Sequence, residues 1–544
     1  MNKRKFLSLN CRGIPFIVIL AASCIALPCA MLFIPYIRNI LIKLAESILG
    51  RTLNHEHWHN VLPFLAQQGL IIVISILVSY SVIKLCIKKK IVTTQKIDGI
   101  FTLAIISFLL FTAMLCFLTD GKVLIYFLHQ DITDSFMDLF NSTFTMSCSQ
   151  RMGNYPPLAC LSYLWLNTLI PSGFWVNGIP VRENSLLLRN SIYGQAILFT
   201  HIVAFILPFY PVVRMKMPKS SSTCRILPTV ILATVPFLFA LERGNIIIFA
   251  FLFSLFFFCG KDAKNRNIRE VSFISLAVAV NLKLYPAVFG LFLLYEKRWK
   301  DATRCILYGT LIFLVSLVML PEKNSVFYLT NGVFQFAKLP HTEISDPQIP
   351  NIQNTVIESE NTIQAIQTEI QPPILATGLN YSLQNSCMLL IQTAGLLGFD
   401  AYGLLLLFRK FHISILLTVL LSLGGLFCMI FCKKSWQKQF SATTLMIFPI
   451  GRAAGTYILM FLTIPLLTYI EEEEKICHKN LLATFFFIFL FAPIAIPVEI
   501  MQGTVYFISI DFLAKLFALI SMYIYLLASA IRNLSKQIKK SGRA

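Results

Sequence analysis

Apolar runs of about twenty residues alternate with short polar stretches along the whole chain. A run of that length crosses a hydrocarbon core of about 30 Å as an α-helix, which satisfies every backbone donor and acceptor within its own segment. The pattern predicts an all-α, polytopic transmembrane helical bundle of roughly 10–13 membrane segments, including re-entrant pairs and outer interfacial helices. Basic clusters placed on the cytoplasmic side order the path. A first helix, 14–37, leads out, and a second, 62–86, returns to Lys88-Lys89-Lys90. A third, 99–118, leads to one large outer segment, 120–190, and a helix over 191–213 comes back to Arg214, Lys216 and Lys219. The run 226–241 then goes out and 246–260 returns.

Two later runs do not fit single crossings. The run 271–295 has basic clusters at both ends. A broken pair hinged at Pro286 keeps both clusters on one side and lifts Lys283 to the tip, since proline removes a backbone donor. The run 441–470 reads the same way, broken around Phe448-Pro449-Ile450-Gly451 with Arg452 outward, ahead of a solvated loop of four glutamates, Glu471 to Glu474. Between them, 303–321 leads to a long polar loop, 322–381, and 383–407 either spans or lies on the outer surface. Helices over 480–497 and 505–532 close the chain. The expected units are an N-terminal hairpin (1–98), a membrane core (99–321) with its outer loop 120–190, an extracytoplasmic loop (322–382) and C-terminal helices (383–544).

Composition narrows the class. Of 544 residues, 56% are hydrophobic and 13% charged, which leaves no room for a sizeable soluble domain. The net charge of +20 would suggest nucleic acid in a soluble protein. Here the cations sit in loops between apolar runs, so the expected contacts are membrane lipids and not nucleic acid. The 14 cysteines lie mostly inside apolar runs without paired spacing, which argues against a disulfide framework or a zinc site. His55, His57 and His59 alternate in a manner that matches no ligand pattern and read as an exposed interfacial loop. No metal and no cofactor are expected.

The candidate chemistry collects on the outer side of this path. Glu242-Arg243-Gly244-Asn245 separates two apolar runs, and a charge at mid-bilayer costs roughly 2.5–3.5 kcal/mol. The tetrapeptide therefore reads as the tight turn of a helical hairpin at the membrane surface, with the role of its charges left open. Asp131, Asp134 and Asp138 follow one another at about one helical turn, which puts Asp134 and Asp138 on one face of a helix. Tyr155-Pro156-Pro157 gives the next apolar stretch a rigid entry. Carboxylates facing Arg243, Lys283 and Arg452 at the water–lipid boundary suit group transfer from an anionic lipid. A carboxylate takes the proton of an acceptor hydroxyl while cations stabilise the departing phosphate.

Four pieces in order carry a family likeness. They are an outer-segment Asp followed by Tyr155-Pro156-Pro157-Leu158, then Arg243-Gly244-Asn245 heading an apolar helix. Val280-Asn281-Leu282-Lys283-Leu284-Tyr285-Pro286 leads next to Tyr295-Glu296-Lys297-Arg298-Trp299, and Asn380-Tyr381-Ser382-Leu383 closes the set. In these the chain resembles the polyprenyl-phosphate-sugar-dependent glycosyltransferases of the GT-C superfamily, in particular the bacterial alpha-mannosyltransferases that use polyprenyl-phosphate mannose. It departs from them in having two apolar helices before the Asp helix and in lacking their serine-proline and aromatic-histidine features near Arg452. The resemblance implies a GT-C-like bundle in the cell membrane with an outward-facing site. It also implies a polyprenyl-phosphate-linked hexose donor, a glycan or glycolipid acceptor, and an inverting displacement with an Asp as general base. Asp138 is the first candidate for the base and Asp134 the second. Arg243, Lys283 and Arg452 would meet the donor phosphate, with Glu242, Asn245, Tyr155, Pro156, Tyr285 and Asn380 in support. Two alternatives stand beside this. One is a lipid-linked oligosaccharide polymerase or ligase relying on the loop 322–381. The other is a secondary transporter with broken helices at Pro286 and Pro449, against which the outer siting of the charges and the lack of visible repeat symmetry argue.

Overall fold

The computed structural model describes residues 96–321 and 380–541, apart from short stretches at 119–120, 122, 125–127, 129–134, 146–154, 175–181, 218–221, 397–399, 411, 450–454, 474, 476, 478–479, 495–498 and 503–506. The expected helices 14–37 and 62–86, the three histidines near residue 57, nearly all of the loop 322–381, Asp134 and Arg452 lie outside the described residues.

The chain builds a helical membrane bundle. Helix α1 (Ile97–Leu118) is followed by three short helices in the expected outer segment, α2 (Met137–Thr145), α3 (Pro157–Thr168) and α4 (Arg182–Asn190). Then come α5 (Ile192–Lys216), α6 (Leu227–Leu232), α7 (Val235–Arg243), α8 (Ile247–Gly260) and α9 (Arg266–Leu282). A 3-10 segment (Tyr285–Gly290) leads into α10 (Leu291–Tyr295) and α11 (Trp299–Met319). The C-terminal half holds α12 (Leu383–Leu396), α13 (Ala401–Lys410), α14 (Ile413–Phe431) and α15 (Ser435–Ile447). A second 3-10 segment (Thr456–Leu462) precedes α16 (Thr463–Glu473) and α17 (Leu481–Phe491). A two-stranded antiparallel hairpin, β1 (Glu499–Gln502) and β2 (Phe507–Ser509), joins α17 to the last helix, α18 (Ile510–Ser541). Among the described residues five helices, α1, α5, α11, α14 and α18, are long and apolar enough to cross a bilayer. Those on the outside show it: α11 exposes Ile306, Leu307, Leu311 and Val318, side chains suited to hydrocarbon.

The run 226–241 is not the single helix its hydropathy predicts. It is divided into α6 and α7 because Thr234 is extended (φ −79°, ψ 156°) and Pro236 opens the next helix. Proline fits the first turn, where its missing N–H is not needed, and fits badly further in. Residues 383–410 likewise form two helices, α12 and α13, and α14 supplies the crossing that reaches Lys433 and Lys434.

Both expected broken pairs are present. Lys261, which caps α8 ahead of α9, donates to Glu296 at 2.6 Å, and Arg298 reaches Asp262 at 2.7 Å, the Lys261 carbonyl at 2.8 Å and the face of Phe273 on α9 at 5.7 Å. The start of α9 and the end of α10 therefore meet, while α9 ends far away at Lys283. In the second pair, Glu473 at the end of α16 accepts from Lys434 and, at 3.1 Å, from the Trp436 indole. Glu472 accepts from the Ser435 backbone N–H at 3.1 Å. Of the four glutamates, Glu471, Glu472 and Glu473 thus end a helix instead of forming a solvated loop, and Glu474 lies outside the described residues. Glu472 caps the N-terminus of α15, where a carboxylate complements an unpaired backbone N–H, and Glu473 holds the side chains beside it.

The tip of the second pair packs on α7 and α8 through aromatic rings, and Tyr285 of the first pair meets it edge-on at Phe461. Phe251 meets Phe237 at 5.2 Å and Phe461 at 5.6 Å, both edge-on, and Phe239 stacks on Tyr457 at 5.9 Å. At the opposite end of the sequence, Asp511 and Lys515 pair one turn apart on α18 and are shut off from solvent. Lys515 also donates to the Ala492 carbonyl (2.8 Å) and Asp511 accepts from the Ile494 N–H (2.9 Å), which ties α18 to the end of α17.

Candidate functional site

The site begins with two chain segments latched together. Phe136 lies in the left-handed region (φ 62°) and donates its N–H to the Glu242 carbonyl at 2.6 Å. A bulky residue at positive φ is a strained conformation, found where surrounding structure enforces it. The latch delivers Asp138, in the first turn of α2, to the C-terminal end of α7.

Helix α7 ends as its sequence dictates. Gly244 takes φ 63°, the Gly244 N–H donates to the Leu241 carbonyl (3.0 Å) and the Asn245 N–H to the Ala240 carbonyl (3.2 Å). This is the Schellman closure that favours glycine. A Cβ at residue 244 would also stand 2.9 Å from the Leu139 Cβ, so glycine is required by the approach of α2 as well. The turn expected from Glu242-Arg243-Gly244-Asn245 is therefore present, and its side chains act on Asp138. Arg243 Nη2 donates to Oδ1 at 2.5 Å and Asn245 Nδ2 to Oδ2 at 2.8 Å. The Asn245 carboxamide is itself oriented, because its Oδ1 accepts the Ile247 N–H at 3.0 Å. A carboxylate offers about four acceptor positions, so each oxygen keeps one for a further donor. Asp138 is partly open, its side chain 22% exposed, and Arg243 is 13% exposed. Glu242 contributes its main-chain carbonyl to the latch.

Lys283 caps α9 in an extended conformation, and its ammonium lies 4.0 Å from the centre of the Tyr155 ring, a cation–π contact. Pro156 is extended (φ −63°, ψ 159°) and Pro157 starts α3, the rigid entry the sequence predicts. Tyr155 meets Tyr163 edge-on at 5.6 Å. Burial pushes the Tyr163 phenol well above its ordinary range, and Tyr155 and Asp138 add to the shift, so this hydroxyl stays protonated beside the carboxylate. Tyr457, from the tip of the second pair, lies within electrostatic reach of Asp138, Tyr155 and Arg243, and Tyr285 within reach of Tyr457 and Tyr155. Sequence reasoning missed Tyr163 and Tyr457. The only signal either offered was a polar-tipped ring inside an apolar run.

Asn380 plays another part. Its side chain accepts the Ser382 N–H at 2.8 Å, its carbonyl accepts from the Asn385 carboxamide at 2.7 Å, and its backbone bridges to Gly455. These bonds cap α12 and pin the tip of the second pair. Beside the polar group lies an apolar cavity of about 840 Å³, lined by Leu139, Tyr163, His201, Ile246, Phe249 and Leu282 among others. Three of these, Leu139, Ile246 and Leu282, are the chain neighbours of Asp138, Asn245 and Lys283, so the cavity and the polar group share the same elements. Among the described residues no three His, Cys, Asp or Glu side chains converge as a metal site would need.

Comparison with known proteins bears on the class. No curated protein and no solved structure matches the chain. A family profile described as "Glycosyltransferase family 87" matches residues 154–448, a region that contains Tyr155, Arg243, Asn245, Lys283 and Tyr285 and begins after Asp138. With more than half of its 544 residues inside that match, the chain belongs to glycosyltransferase family 87 and is a membrane glycosyltransferase.

Proposed function

We propose that this glycosyltransferase moves a hexose, mannose in first place, from a polyprenyl phosphate to a glycan or glycolipid on the outer face of the cell membrane. The observation that carries the reading is the Asp138–Arg243–Asn245 cluster on the same elements as an apolar cavity of about 840 Å³, whose lining includes Leu139, Ile246 and Leu282, the chain neighbours of Asp138, Asn245 and Lys283. An anionic lipid is the substrate that needs cations at one end and hydrocarbon at the other.

Asp138 is the general base, with Asp134 as the second candidate. An acceptor hydroxyl oxygen attacks the anomeric carbon from the side opposite the phosphate, and the carbon–oxygen bond to phosphate breaks. The bonding electrons leave on the phosphate oxygen, where Lys283, helped by Arg243 and Arg452, stabilises the charge. The hydroxyl proton passes to Asp138. One displacement inverts the anomeric configuration and leaves no sugar on the protein. Arg243 and Asn245 hold the carboxylate in place, Glu242 fixes the turn that carries them, and Tyr155 and Pro156 shape the entrance.

The test uses purified protein with a radiolabelled polyprenyl-phosphate mannose and a membrane lipid extract as acceptor. Asp138→Asn should lose about 10²–10⁴-fold in turnover, the usual contribution of a general base, while still binding donor. If Asp138→Asn and Asp134→Asn both transfer at the wild-type rate, the base assignment is wrong. If the wild-type protein transfers no polyprenyl-phosphate hexose, the donor class is wrong.

A further inference from the structure

Tyr285 stands immediately after Lys283 and Leu284, at the start of the 3-10 segment that turns the first broken pair. Its ring is fixed edge-on against Phe461 at 5.8 Å. Its hydroxyl is closed off from solvent and has no hydrogen-bond partner among the described residues. Leaving such a group unsatisfied costs about 1–3 kcal/mol, and phenylalanine would fill the same space without that penalty. A buried orphan donor at the edge of a reaction site asks what it bonds to when the site is full.

Its surroundings answer in chemical terms. The Tyr285 hydroxyl shares its neighbourhood with the phenols of Tyr155 and Tyr457. Tyr155 carries Lys283 on its face, and Tyr457 is held by its stack on Phe239. The result is an aromatic wall beside Asp138 with one free donor in it. A pyranose has an apolar C–H face that lies against aromatic rings and a rim of hydroxyls that need partners.

We propose that the Tyr285 hydroxyl bonds one ring hydroxyl of the transferred hexose while the sugar rests on the wall formed with Tyr155 and Tyr457. This makes Tyr285 a specificity-determining residue. The inference rests on hexosyl transfer as read above and adds which side chain selects the sugar. A site that holds a substrate hydroxyl with a buried partner rejects the analogue lacking it far more strongly than an apolar pocket does.

The experiment compares wild type with Tyr285→Phe in the full chain, using polyprenyl-phosphate mannose and its 2-, 3-, 4- and 6-deoxy forms. Tyr285→Phe should lower kcat/KM for the parent donor by about tenfold or more. Wild type should lose a similar factor with one deoxy donor in particular. The variant should lose nothing further with that donor and keep its losses with the others. Its melting temperature should equal or exceed that of wild type, since the removed hydroxyl has no hydrogen-bond partner among the described residues. Equal transfer of every donor by both proteins overturns the assignment, as does a lowered melting temperature with transfer intact, which would make the hydroxyl structural. An active wild type with an indifferent variant sinks Tyr285 alone. An inactive wild type sinks the donor reading, and Tyr285 with it.

Discussion

Gly244 is the position where a single methyl group tests whether the placement of Asp138 matters. Two penalties meet there in Gly244→Ala. The left-handed conformation at φ 63° costs an L-residue roughly 1–2 kcal/mol. The new Cβ would stand 2.9 Å from Leu139 Cβ, against an ordinary contact of about 3.5–4.0 Å. Helix α2 must therefore retreat by about 0.6–1 Å, carrying Asp138, the residue before Leu139, away from Arg243 and Asn245. A misplacement of about 1 Å in a catalytic group lowers rate by as much as 10²-fold. Gly244→Ala is expected to fold, to melt somewhat earlier, and to lose about 10- to 100-fold in kcat with KM for donor little changed. Leu519→Ala, in the buried face of α18, a helix that packs on α14, α15 and α17, serves as the comparison. It removes about 2–5 kcal/mol of packing and should lower the melting temperature without a matching loss of turnover. The measurements are transfer kinetics and thermal unfolding on the same preparations. If Gly244→Ala turns over as fast as wild type while melting earlier, the position of Asp138 does not limit the reaction and the reasoning fails.

Three further outcomes are expected. Asn245→Asp sets a second carboxylate where a donor now stands 2.8 Å from Asp138; like charges disfavour the ionised pair, so the acidic limb of the pH–rate profile should move to higher pH, and an unmoved limb would count against Asp138 as the base. Ala204→Phe narrows the cavity and should raise KM for long-chain polyprenyl donors more than for short-chain ones; equal effects would mean that the lipid lies elsewhere. Lys515→Met leaves Asp511 buried without its cation, a change expected to destabilise by about 3–5 kcal/mol, and Asp511→Leu added to it should restore much of the folded yield in membranes.

Much of this architecture could be read from local rules. The turn at Gly244, the break before Pro286 and the break after Phe448 all follow from where glycine, proline and basic clusters stand in apolar runs. What escaped was anything made by distant segments. Asn245 and Asp138 are 107 residues apart, and no spacing rule joins them. Tyr457 enters the site only because the second broken pair brings its tip to α7. The split of 226–241 escaped because hydropathy averages over a window and is blind to one proline's missing N–H. The glutamates at 472 and 473 were misread for a related reason: a run of like charge resembles a solvated loop until a second helix start is found beside it.

The first broken pair is anchored by ion pairs at its base, and among the described residues no ion pair clamps its tip, which gives it mechanical leverage. Helix α9 is 17 residues long, an arm of about 26 Å at 1.5 Å per residue. A tilt of about two degrees at the Lys261–Glu296 and Arg298–Asp262 anchor would swing Lys283 sideways by about 1 Å. A small change of angle at that anchor is therefore carried by a rigid rod to the far end, where Lys283 stands against Tyr155.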